Sequence, residues 1–132
     1  MPNKVLRGKK KGGMAKIDKF KFGSIVIDGK KHRRDVLIFS DGTVKHRKGG
    51  FGMFGSHNIK KEEIEELVRG EPEAIIVGTG TDGKAKLAPE VEKWAKERNL
   101  SLIVQPSREA LAKLNELTGQ KKKIAALIHI TC

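Results

Sequence analysis

The sequence predicts an α/β domain with a β-meander in front of it. Three apolar runs, "EAIIV", "SLIVQ" and "IAALIHI", lack polar alternation and read as strands covered on both faces. They alternate with two segments of helical period, one carrying Val91, Trp94 and Ala95 on a stripe, the other running from Ser107 with Leu111, Leu114 and Leu117. Such alternation marks a largely parallel sheet with helices on its faces. The third observation is "GSIVIDGKKHRRDVLIFSDGTVKHR", where Asp28-Gly29 and Asp41-Gly42 supply the positive φ of tight hairpins. It is read as a three-stranded antiparallel meander over residues 23–47.

Taken from the start, residues 1–19 read as a basic disordered tail and 20–132 as a single α/β domain. "MPNKVLRGKKKGG" has no apolar period and too little apolar surface to order itself. "MAKIDKFKFGS" resembles a natural protein start, so Met14 is an alternative initiator to Met1. After the meander, "KGGFGMFGSHN" spaces four glycines among Phe51, Met53 and Phe54 and reads as a loop. Asn58 is placed as the N-cap of a short amphipathic helix bearing Ile64, Leu67 and Val68 and stopping at Gly70.

Charge is divided unevenly. Residues 1–60 carry 16 Lys and Arg against 4 Asp, whereas residues 61–132 carry 12 against 12 acidic residues, so the formal +12 belongs to the first half. That half is a candidate for weak, non-specific, salt-sensitive binding to nucleic acid. The single cysteine, Cys132, excludes an internal disulfide. No apolar run approaches the roughly 20 residues of a membrane span and no secretory signal opens the chain, which reads as a cytoplasmic protein without a membrane partner. The absence of Tyr, the scarcity of Gln and the weight of Lys and Glu lean towards heat adaptation.

"AIIVGTGTDG" raises the question of a dinucleotide. Gly78, Gly80 and Gly83 spell G-x-G-x-x-G after a strand, but that fingerprint needs its third glycine to open a helix. Here "KAKLAP" intervenes, and Pro89 is better placed as the first-turn proline of the next helix. The acidic residue that would hold a ribose is replaced by Gln105 and Pro106. No cofactor is expected. The loop reads as a turn that needs glycine for its geometry, with an anion nest around Gly78, Thr79 and Gly80 as the lesser alternative. "RKGGFGMF" breaks the register of an RNA-recognition octapeptide, and His57, His129 and Cys132 match no metal-ligand spacing, so no metal site is predicted. The histidine inside "ALIHI" is read as a hydrogen-bonded core residue.

The ordered set "FGSIVIDGK", "DVLIFSDGTVKHR", "SHNI", "IIVGTGTDG" and "HITC" resembles a small family of unknown function. It includes the mitochondrial complex I assembly factor three and the adipogenesis-associated domain protein, and is also called domain of unknown function four-nine-eight. The resemblance runs from Phe22 to Cys132. It implies a three-layer single domain with a mixed central sheet and an extra β-layer. It also marks Ser56, His57, Gly78, Gly80, His129, Thr131 and Cys132, with Asp35 as a further position.

The functional reading is a non-catalytic binding or assembly module that self-associates or binds protein partners. No paired acid and base at defined spacing is found, and no catalytic residue is assigned. The alternative is an enzyme or binder of a small anion, in a pocket at the glycine loop lined by Asp35, His57 and Arg108. If the last strand runs parallel to its neighbours, as expected here, His129, Thr131 and Cys132 arrive at the same sheet edge as Gly78, Gly80 and Gln105.

Overall fold

A computed structural model describes residues 15–47 and 58–132. Met14, Ser56, His57 and the aromatic residues of the glycine-rich loop lie outside the described residues.

Strands β1 (Ile17–Lys21), β2 (Ser24–Ile27) and β3 (Lys30–His32) form a small antiparallel sheet. Its first strand begins three residues before the boundary drawn at residue 20. The β2–β3 turn has Asp28 at φ 51° and Gly29 at φ 81°, the left-handed pair that a two-residue hairpin requires. Strands β4 (Val36–Ile38) and β5 (Val44–His46) are also antiparallel, turning through Gly42 at φ 91°. They do not continue the first sheet, however. The meander expected over 23–47 is divided between two sheets, because β4 pairs antiparallel with β10 (Ile124–His129).

The central sheet has the order β5-β4-β10-β7-β9, with β7 spanning Ala74–Thr79 and β9 spanning Ser101–Gln105. β10 and β9 both run parallel to β7, so the last strand has the predicted direction and the sheet is mixed. A short parallel pair, β6 (Asn58–Ile59) with β8 (Lys86–Leu87), stands beside it.

Three helices belong to the described chain: α1 (Lys61–Val68), α2 (Pro89–Glu97) and α3 (Ser107–Gly119). Proline opens α2 as predicted. The cap of α1 is Lys60 and not Asn58, which is drawn into β6; the Glu63 carboxylate reaches back to accept the Lys60 amide at 2.9 Å. The crossover β7–α2–β9 steps one way along the sheet, and β9–α3–β10 steps back past β7. With one hand of crossover, that reversal puts α2 and α3 on opposite faces.

Residue alternation then fills two cores. Ala74, Ile76, Ile124, Ala126 and Ile128 face α3 and the small sheet, meeting Leu111, Leu114, Ile25 and Ile27. Ile75, Val77, Ala125 and Leu127 face α1 and α2, meeting Ile64, Leu67 and Val91. Each fully buried Ile or Leu contributes about 2 kcal/mol through surface removed from water. The two sheets are also joined at His32, whose Nδ1 lies 3.1 Å from Nε2 of His46. Burial, the neighbouring His46 and Lys30 together lower the His32 pKa and favour its neutral form.

Candidate functional site

The parallel sheet dictates where the strand ends converge. β7, β9 and β10 deliver their carboxyl ends to one edge, and neighbouring loops there leave in opposite directions, the place where open α/β sheets form crevices. The residues of the β10 end lie in this crevice. Thr81 N donates to Thr131 O at 2.7 Å, and Asp82 N and Lys84 N donate to Cys132 O at 3.2 and 3.1 Å. The glycine loop is therefore a nest of amides, and what it holds is the chain's own backbone.

Its glycines follow from that closeness. Gly80 has φ 104°, and a Cβ there would strike the Cys132 carbonyl group and approach His129 Cδ2 to 2.8 Å. A Cβ on Gly78 would come within 2.7 Å of Ser107 Oγ and 3.1 Å of Ile128 Cδ1. Gly83, at φ 66°, closes the turn. Thr79 is buried, and its hydroxyl donates to Gln105 O at 3.1 Å, tying β7 to β9.

Ser107, the fully buried first residue of α3, ties the edge together. Its Oγ accepts the Gly80 amide at 2.8 Å and donates to His129 O at 2.6 Å, while its own amide donates to Gly80 O at 2.9 Å.

Beside the crevice stands a largely buried charge network. Asp35, just before β4, accepts the Ile130 amide on Oδ1 at 2.9 Å. Its Oδ2 receives both His129 Nδ1 at 2.7 Å and Arg47 Nη1 at 2.8 Å. Arg47 also grips Glu63 of α1 with two nitrogens, at 2.6 and 3.2 Å, and donates to Asn58 O at 3.0 Å. Burial pushes the Asp35 pKa up, but hydrogen bonds from His129, Ile130 and Arg47 outweigh it and hold the carboxyl below its ordinary value. Burial likewise disfavours the Arg47 cation, and Glu63 and Asp35 more than reverse that.

An ionised Asp35 can only accept, so His129 Nδ1 carries the proton it donates. In the neutral ring Nε2 is then an acceptor, and the Thr131 hydroxyl lies 3.2 Å from it.

Of the residues singled out by sequence, Asp35, Gly78, Thr79, Gly80, His129, Thr131 and Cys132 are brought to this edge. His129 is a hydrogen-bonded core residue, 3% exposed, as its apolar context indicated. Arg108 does not join them: its guanidinium lies over the Phe20 ring of β1, 5.4 Å from the centroid. Arg47, Glu63 and Ser107 were missed. Arg47 sits in a run of basic residues that reads as solvated, and Glu63 in a helix whose acidic residues read as surface; only the capping position of Glu63, three residues after Lys60, was a signal. Among the described residues no group of His, Cys, Asp and Glu is arranged to hold a metal ion. No described helix is long and apolar enough to cross a membrane.

Fold and site together define a class: a mixed-sheet α/β domain with a small β-layer on one face and a glycine loop closed on the last strand. Residues 17–129 match the family described as protein of unknown function, DUF498/DUF598. The chain belongs to that family. It is similar to the structure of a conserved hypothetical protein from the thermophile Pyrococcus horikoshii, with 36% identity and a TM-score of 0.78 over 89% of this chain and 99% of that one. The protein MT938 is 30% identical, with a TM-score of 0.74 over 89% and 99%. A Mth938-like domain from Bordetella pertussis, 13% identical, shares the fold, with a TM-score of 0.70 over 98% and 89%.

Replacing Gly80 with Ala is expected to lower stability by more than about 2 kcal/mol, because both its φ and its neighbours exclude a side chain. Gly119→Ala, with nothing within 4 Å of the added carbon, should stay within about 0.5 kcal/mol. Urea unfolding of the two variants checks this, and similar losses in both would contradict it.

Proposed function

We propose that the chain is a non-catalytic binding or assembly module that recruits a protein partner by strand addition at β9. The observation that carries this reading is the state of the two sheet edges. β5 is three residues long, bears Lys45 and His46, and is tied to α1 by Lys45 Nζ to Glu66 at 3.0 Å. Short, charged edges of this kind are protected against pairing. β9 is the opposite case: its sequence, Ser-Leu-Ile-Val-Gln, has no charge and no proline, and Val104 is 42% exposed. One side of its backbone pairs with β7, and among the described residues no strand pairs with the other. An uncharged edge is a template for a further strand, with main-chain hydrogen bonds for affinity and side-chain pockets for choice.

The internal site supports the same reading by what its groups already do. The amides that could cradle an anion donate to Thr131 and Cys132, and Arg47 is paired with Asp35 and Glu63.

A second reading, catalysis by an activated hydroxyl, is favoured by one observation. Asp35, His129 and Thr131 line up with the carboxylate on Nδ1 and the hydroxyl on Nε2, the polarity of an orienter, base and nucleophile. Against it, Asp35 shares the same oxygen with Arg47, and the nearby amides that would stabilise an oxyanion are already bonded.

Two experiments decide between these readings. A benzophenone side chain placed at position 104 should give a covalent protein adduct in an extract of the source cells, and one at Lys19 of the small sheet should not; no adduct from 104 overturns strand addition. With p-nitrophenyl acetate, wild type and Thr131→Val should hydrolyse the ester at the same rate. Acetylation of Thr131 that disappears in a folded His129→Gln variant would replace the first reading with the second.

A further inference from the structure

We propose that the partner at β9 is a second copy of this chain, joined by antiparallel pairing of β9 with β9 about a two-fold axis midway between the two Ile103 residues and perpendicular to the sheet. The inference rests on the strand-addition reading and names its occupant. Centred on Ile103, the pairing sets Leu102 opposite Val104 of the second copy and Ser101 opposite Gln105. Apolar residues meet apolar ones and polar meet polar, on matching faces of the sheet, which is what cross-strand pairs require. No other centre within this strand does so: a shift to Leu102 sets Ser101 opposite Ile103, a shift to Val104 sets Ile103 opposite Gln105, and each leaves two residues of the strand without counterparts.

One local feature fits this register. Val104, the most exposed apolar residue of the strand, would be covered by Leu102 of the copy. Charge selects the same place. A chain of formal charge +12 repels its own copy, and the approach is least opposed where the meeting strand bears no charge. The axis keeps each face on its own side, so α2 continues beside α2 and α3 beside α3 along one continuous sheet. Such isologous pairing closes on itself and leaves neither β9 edge open.

The register is tested by cross-linking the full chain in a Cys132→Ser background. Opposed residues of an antiparallel pair have Cα atoms about 4.5–5.5 Å apart, within disulfide reach. Ile103→Cys should therefore form a covalent dimer under mild oxidation. Leu102→Cys and Val104→Cys should not do so alone, but should form a mixed dimer with each other. Because Ile103 is partly covered, Val104→Lys provides a second arm at an exposed site: by sedimentation it should halve the wild-type mass and leave the circular dichroism unchanged. A wild-type chain that sediments as a monomer, or cross-links no better at 103 than at 104, overturns self-pairing. A monomer whose position 104 still yields an adduct with another protein leaves strand addition standing, whereas a monomer without any adduct removes both.

Discussion

A largely buried carboxylate must be paired, and in this fold the pairing of Asp35 adds a charged link where the β4–β10 ladder brings the hairpin to the last strand. Its two oxygens receive the β10 end through Ile130 N and His129, and the β5 end through Arg47. Arg47 carries the connection on to Glu63, and so to α1 on the other face of the sheet. Removing the carboxylate would leave a guanidinium and an imidazole buried without their common acceptor. The network thus reinforces the β4–β10 ladder in docking the antiparallel β4–β5 hairpin against the parallel unit.

The crevice at the carboxyl edge depends on that docking. Once Asp35 holds His129 and Ile130, the residues that follow are directed into the glycine loop, where Thr131 and Cys132 take up its amides. Close backbone approach then requires glycine at Gly78 and Gly80. A sequence pattern associated with phosphate binding arises here from packing of the chain against itself. The same sheet leaves β9, which has no part in the network, as its uncharged margin.

Much of this was legible because it depends on local pattern. Continuous apolar runs between helices gave β7, β9 and β10; the Asp28-Gly29 and Asp41-Gly42 pairs placed both hairpins; Pro89 separated the glycine loop from α2. The membership of β4 was not legible. A three-residue strand, Val36–Ile38, is apolar throughout and carries no period that tells a meander from an added edge. Its choice of β10 is made by long-range contacts, among them those of Asp35, whose partners lie 94 and 95 residues away. For the same reason the convergence of Gly80, His129, Thr131 and Cys132 could be anticipated from strand direction, while Arg47, Glu63 and Ser107 could not. Their roles appear only when a charged or hydroxyl side chain common at the surface is found bonded between elements. Arg108 failed in the opposite sense: charge suggested a site, and the helix turned it onto Phe20.

The central claim is that Asp35 and Arg47 act as a unit in holding the hairpin, the last strand and α1 together. A double-mutant cycle with Asp35→Asn, Arg47→Met and the double variant, followed by urea unfolding, measures this directly. The account predicts a coupling energy above about 1.5 kcal/mol, with the double variant less destabilised than the two single losses combined. Losses that add to within about 0.5 kcal/mol would contradict it.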